Sequence, residues 1–313
     1  MGHRDHLPQL DGGLFVTDGG LETTLVFHDG IDLPEFAAFD LLKDEAGTER
    51  LREYYDDYLA IAREHDAGFV LEAPTWRANP RWAAAIGYTE EQLDDLNRKA
   101  IALTEEVRAR HEDAVAPIVV SGCVGPQDDG YDPSAFMSAV EAQGYHATQV
   151  ATFADTAADM ATAITMTYAE EAVGVARAAT DAGLPVAISF TVETDGRLPS
   201  GQALGEAIEQ TDAETGDAPA YYMINCAHPS HFDGVLEARE PWLERIGGLR
   251  ANASTMSHAE LDEAEQLDEG NPADLGARHA ALRARLPRLN VLGGCCGTDH
   301  RHVSEICAQW VAR

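Results

Sequence analysis

Lysine is nearly missing from this chain: Lys43 and Lys99 are the only two in 313 residues. Asp plus Glu total 54 against 22 for Lys plus Arg, a formal net charge of −32. Such a surface repels nucleic acid and anionic membranes, which sets both aside as partners. No stretch approaches the roughly 18 uninterrupted apolar residues of a membrane span. The opening MGHRDHLPQLDGG lacks the apolar core of a secretory signal. A cytoplasmic protein is expected, with its thiols reduced. Cysteine is scarce as well: five residues, odd in number and unevenly spaced, make a poor disulfide framework. No G-x-G-x-x-G follows the first apolar run, no P-loop occurs, and no H-E-x-x-H appears, so nucleotide sheets and helix-borne zinc proteases lose their usual marks.

The acids form no single tail. Asp44, Glu45, Glu90, Glu91, Asp128, Asp129, Asp262 and Glu263 are spread along the chain. With so little lysine, this reads as a whole surface adapted to high salt, an ordinary acidic enzyme being the plainer alternative. A hydrophobic content of 45% supplies a large core.

Short apolar runs alternate with amphipathic stretches. Strands are expected at Leu14–Thr17, Phe69–Leu71, Pro117–Val120, Met160–Met166, Pro185–Phe190, Tyr221–Asn225, Ile246–Ala251 and Asn290–Leu292. Between them, Leu51, Tyr54, Tyr55, Tyr58, Leu59 and Ala62 share one helical face, which Gly68 is expected to close. Thr89 with Gln92 and Ser257 with Glu260 have capping-box spacing. Further helices are expected over 134–156, 170–182, 202–210 and the C-terminal stretch. Eight strands with intervening helices suit parallel βαβ units, either as a closed barrel or as an open doubly wound sheet. The stretches Gly122–Pro133 and Glu193–Gly201 read as long βα loops.

The sharpest chemical feature is Gly293-Gly294-Cys295-Cys296-Gly297, directly after an apolar run. The glycines are expected to relax the backbone so that both thiols turn to one point. Cys226 also ends a strand, in Ile224-Asn225-Cys226, about two βα units earlier. On a barrel the three thiols meet at the C-terminal face. Three thiolates leave a fourth position of tetrahedral zinc for substrate. Taken alone, Cys226 reads as a buried small hydrophobe. Cys307, on an apolar helix face, reads as core, and Cys123 as packing in a loop. His228 and His231 follow Cys226, so a histidine-ligated hydrolytic metal site is a rival. A zinc lyase or hydrolase using bound water and a non-catalytic thiol or zinc carrier also stay open. Thr17-Asp18-Gly19-Gly20-Leu21-Glu22 places carboxylates and backbone N–H groups at the first strand end, where a tight turn is the plainer reading.

Taken together, TDGGLET, EAPTWRANP, SFTVETDGRLPSG, INCAHPSHF and LGGCCGTDHRHV resemble the homocysteine S-methyltransferase family along nearly the whole chain. The resemblance implies one (β/α)₈ barrel domain over 1–313, zinc on Cys226, Cys295 and Cys296, and methyl transfer to a thiol. It implies homocysteine as acceptor, giving methionine, and a small donor such as S-methylmethionine or S-adenosylmethionine. It places substrate contacts at Asp18, Gly19 and Thr75, with Glu22, Glu193 and Asn225 as further candidates. A separate corrinoid protein stays open as a partner, and no feature sets an oligomeric state. One departure stands out: where the family carries a fourth-strand glutamate that grips the acceptor amine, this chain has Ile164.

Overall fold

The computed structural model describes residues 2–312 apart from 132, 238, 239 and 265. Eight parallel strands close into one barrel in sequence order, β1 pairing with both β2 and β8. They are β1 (Phe15–Val16), β2 (Gly68–Glu72), β3 (Ile118–Val124), β4 (Met160–Met166), β5 (Val186–Phe190), β6 (Tyr221–Asn225), β7 (Ile246–Ala251) and β8 (Val291–Gly294). All eight expected strands are present, and the open-sheet alternative is excluded.

The helices wrap the barrel through the faces their periodicity gives them. In α1 (Glu45–Glu64), Leu51, Tyr54, Tyr55, Tyr58, Leu59 and Ala62 are all buried. The chain then turns at Asp66, whose φ is 51°. Gly68 is not the helix stop: it opens β2, where a Cβ would strike the Phe15 ring. Two short-to-medium helices escape the apolar pattern, α2 (Pro80–Ala85) and α9 (Pro272–Leu282). Both start at Asn-Pro, an N-cap followed by a proline whose missing N–H costs nothing there. The capping boxes of α3 (Glu90–His111) and the short α8 (His258–Asp262) form as their spacing requires.

The helix expected over 134–156 is shorter, α4 (Ala139–Ala154). Asp128 collects the backbone N–H groups of Ser134 and Ala135, which holds the stretch before Ser138 out of the helix. The remaining α-helices of four residues or more are α5 (Ala169–Ala182), α6 (Leu204–Thr215), the single turn α7 (Pro229–Phe232) and α10 (His300–Val311). Cys307 is fully buried on α10, as its stripe requires. No helix among the described residues is long and apolar enough to cross a membrane.

Inside the barrel the side chains change character with height. The lower layer is apolar, built from Phe15, Val70, Val119, Met160, Met223 and Val291, with Leu7 of the N-terminal segment packed beneath. Above it come Ser121 and Thr162, 2.8 Å apart, then Glu72, Ser189, Asn225 and Arg250. The cavity opens over this polar layer, at the C-terminal ends of the strands, where barrels of this kind carry their chemistry.

Candidate active site

Cys226 directly follows β6, and Cys295 and Cys296 directly follow β8. Their three sulfurs lie within 4.8 Å of one another. No histidine joins them among the described residues: His228 turns its Nδ1 to the Ser230 hydroxyl at 2.7 Å, and His231 faces the Thr255 carbonyl. The histidine-ligated alternative therefore has no support in the geometry.

The glycines beside the cysteine pair act differently from expectation. Only Gly297 needs a left-handed backbone, at φ 74°. At Gly293 and Gly294 any Cβ would collide with the hydroxyls of Thr17 and Thr298, so these residues permit close approach. The left-handed strain falls on Cys226 itself, at φ 53°, and on Thr165, at φ 67°. Such conformations cost a non-glycine residue about 1–3 kcal/mol and persist only where neighbours enforce them. Asn225 does the enforcing here. Its Oδ1 accepts from the Thr165 N–H at 2.9 Å and from the Ser189 hydroxyl at 2.7 Å, and its Nδ2 donates to the Thr165 hydroxyl.

The sulfurs are also held from the side. The Tyr131 hydroxyl sits 2.9 Å from Cys226 Sγ and 3.5 Å from Cys296 Sγ. The amides of Asn252 and Asn225 approach Cys226 Sγ at 3.7 Å and Cys295 Sγ at 3.9 Å. Hydrogen bonds from the Cys226 and Cys296 thiols, aided by Arg250, hold the Cys295 thiol well below its ordinary value. Burial pushes Cys226 up, and the hydrogen bonds that Cys296 makes to Cys226 and Cys295, with burial behind them, push Cys296 up. A divalent soft-ligand ion is what would let all three ionise, so the donor set fits zinc.

Cys295 and Cys296 border a cavity of about 1220 Å³ that is also lined by Asp18, Gly19, Glu22, Glu72, Ile164 and Glu193, while Cys226 is buried. Asp18 is already engaged: its Oδ1 accepts from Arg250 at 2.6 Å and its Oδ2 from the Tyr54 hydroxyl at 3.1 Å. Burial nevertheless raises its pKa against the pull of both partners. Burial likewise pushes Glu22 and Glu72 up to about 7. One oxygen of Glu72 is buried with no hydrogen-bond partner. Glu193 pairs with His258 Nδ1 at 2.9 Å, and His258 Nε2 reaches the Cys226 carbonyl at 2.8 Å. Glu193 thereby braces the cysteine through His258.

Two of the expected substrate contacts are not cavity residues. Thr75 lies beyond the end of β2, and its hydroxyl bonds the Cys123 carbonyl at 2.7 Å and the Cys123 N–H at 3.1 Å. Asn225 is spent on Thr165 and Ser189 as described. Cys123, expected in a loop, belongs to β3, which runs on to Val124, and it lines the cavity.

Arg250, Tyr131, His258, Glu72 and Asn252 escape the sequence reading. Arg250 and Glu72 leave a trace, each being a charge at the end of an apolar strand. Tyr131 sits in an irregular loop with no periodic signal.

A family model described as homocysteine S-methyltransferase matches residues 15–310. Selenocysteine Se-methyltransferase of Brassica oleracea var. italica is 24% identical over 326 residues, covering 96% of this chain and 90% of that protein. Homocysteine S-methyltransferase 2 of Arabidopsis thaliana is 23% identical over 335 residues, covering 99% and 96%. Among solved structures, the metallated form of the homocysteine methyltransferase MmuM from Escherichia coli superposes with a TM-score of 0.73 at 18% identity, covering 96% of this chain and 98% of that one. Its oxidized form gives 0.74 at 19% identity, with 96% and 97% covered.

Proposed function

This chain belongs to the homocysteine S-methyltransferase family of thiol methyltransferases, and we propose that it uses zinc to transfer a methyl group from a small sulfonium donor, S-methylmethionine or S-adenosylmethionine, to homocysteine. The observation that carries this reading is the meeting of three cysteine sulfurs within 4.8 Å, with Cys295 and Cys296 on the cavity wall. The metallated form of the similar Escherichia coli enzyme supports a metal here.

Cys226, Cys295 and Cys296 would hold zinc, whose Lewis acidity would favour a deprotonated substrate sulfur, the thiolate being the nucleophile. The chain's own residues do the rest. Asn225, through Thr165, and His258, through the Cys226 carbonyl, fix the strained backbone that aims Cys226. Tyr131 keeps its hydroxyl against two of the sulfurs and shields them from open water. Asp18, oriented by Arg250 and Tyr54, offers remaining lone pairs to the acceptor ammonium, with Glu22 beside it on the cavity wall. Ile164 presents an apolar wall, so the pocket discriminates weakly against thiols without an amino group.

The test is methyl transfer from S-methylmethionine to homocysteine and to its des-amino analogue 4-mercaptobutyrate, in wild type and Asp18→Ala. Both thiols should be methylated by wild type. Asp18→Ala should weaken homocysteine roughly 10- to 100-fold, the loss of one charge-assisted contact. No transfer to either thiol by zinc-loaded enzyme would overturn the reading. A strong homocysteine preference that survives Asp18→Ala would remove Asp18 as the amine contact.

A further inference from the structure

Among the described residues three arginines are buried: Arg77, Arg108 and Arg250. Arg108 meets Asp159 at 2.8 Å, and Arg250 meets Asp18 at 2.6 Å. Arg77 is paired more loosely. Among the described residues its one carboxylate partner is Asp129, an ion pair at 3.7 Å that is too long for a hydrogen bond, and its Nε and Nη1 are buried without any acceptor. Its guanidinium is held by stacking instead, 3.6 Å from the centre of the Trp82 ring and 4.4 Å from that of Trp76.

A buried guanidinium with two unsatisfied nitrogens is costly, and a chain with 54 acidic residues had ample means to satisfy them. Arg77, Trp76 and Trp82 all line the large cavity, together with Phe27 and Phe36. The same cavity is lined by Glu22, Glu35 and Asp129. A polyanion would be repelled there. A zwitterion has a place for each end: a carboxylate for Arg77, and a cationic centre for the acids and the aromatic faces.

We infer that Trp76, Arg77 and Trp82 form the subsite for the second substrate, with Arg77 recognising a carboxylate on a zwitterionic methyl donor. This rests on the methyl-transfer reading for its choice of ligand. Donor binding, which is read without turnover, separates the two. Because the stack contains two tryptophans, intrinsic fluorescence reports occupancy directly.

The full chain is titrated with S-methylmethionine and with its methyl ester, which keeps the cation and masks the carboxylate. Wild type should bind the acid at least roughly 10-fold more tightly than the ester. Arg77→Gln should bind the acid about 10- to 100-fold more weakly, down to the level of the ester, with ester affinity unchanged as proof of an intact pocket. Arg77→Lys, which keeps charge but not the planar stack, should fall between them. Acid affinity unchanged in Arg77→Gln, equal loss of acid and ester, or no saturable binding of the acid by wild type would each overturn the subsite. Methyl transfer to homocysteine is measured alongside. Its failure with the acid-over-ester preference intact would remove the proposed reaction and leave the subsite standing.

Discussion

Arg108–Asp159 and Arg250–Asp18 are buried ion pairs of the same chemistry, at 2.8 and 2.6 Å, at opposite ends of one barrel. At the N-terminal end, Asp159 also takes the N–H groups of His3 and Val120. Arg4 caps the carbonyls of Ala154, Thr156 and Ala158 nearby, and an apolar layer lies above. That end is closed, and the polar groups around the ion pair itself are paired; Gln9 Oε1 and the Tyr221 hydroxyl are buried exceptions in the layer beside it. At the C-terminal end, Arg250–Asp18 borders an open cavity lined by Glu72 with its orphaned oxygen, Arg77 with its orphaned nitrogens and the left-handed Thr165, and the left-handed Cys226 meets the cysteine pair on that wall. The difference lies in what each end leaves unsatisfied. Where the ion pair completes its surroundings, its role is stability. Where strain and unmet hydrogen bonds gather round it, the fold has been compromised for a ligand.

The comparison breaks most sharply under paired substitutions. Cys295→Ser should abolish metal retention and methyl transfer while leaving the unfolding midpoint within a few degrees of metal-free wild type. Arg108→Ala strands a buried carboxylate and should cost roughly 3–5 kcal/mol, with turnover per folded, metal-loaded molecule unchanged. Denaturant melts with metal analysis read both. Loss of turnover in Arg108→Ala without loss of stability would erase the distinction between the ends.

A smaller effect comes from Glu72. Burial raises its carboxyl to about 7 from an ordinary value of 4.5, so the folded state keeps a proton that the unfolded state gives up. The stability this proton brings is full below pH 4.5 and is lost as pH rises through 7. Glu72→Gln should remove that slope, gaining up to about 3 kcal/mol over wild type at pH 8 and nothing at pH 4.5. Parallel pH–stability curves for the two proteins would show that Glu72 is not held neutral.

The gentlest test is salt. With a net charge of −32, screening should raise the melting temperature steadily from dilute buffer to molar salt. An unchanged value would return the surface to that of an ordinary acidic enzyme.

Much of this contrast was legible in the sequence, for physical reasons. The eight strands showed because each is a short apolar run between helical faces, and the cysteines because a vicinal pair amid glycines has few structural uses. The support around them was not legible. Arg250 reaches Asp18 across the barrel, and Tyr131 reaches Cys226 from an irregular loop, so neither contact has a local period. Thr75 and Asn225 were read as ligand contacts, yet their hydrogen bonds close on neighbouring strands. A polar residue at a strand end looks the same in sequence whether it faces substrate or backbone.

The central claim, a three-sulfur metal centre that receives the acceptor thiol, is tested most directly by zinc X-ray absorption with and without homocysteine. The resting enzyme should show three sulfur ligands at about 2.3 Å, and homocysteine should bring a fourth. A shell dominated by nitrogen and oxygen, or three sulfurs that stay three at saturating homocysteine, would contradict it.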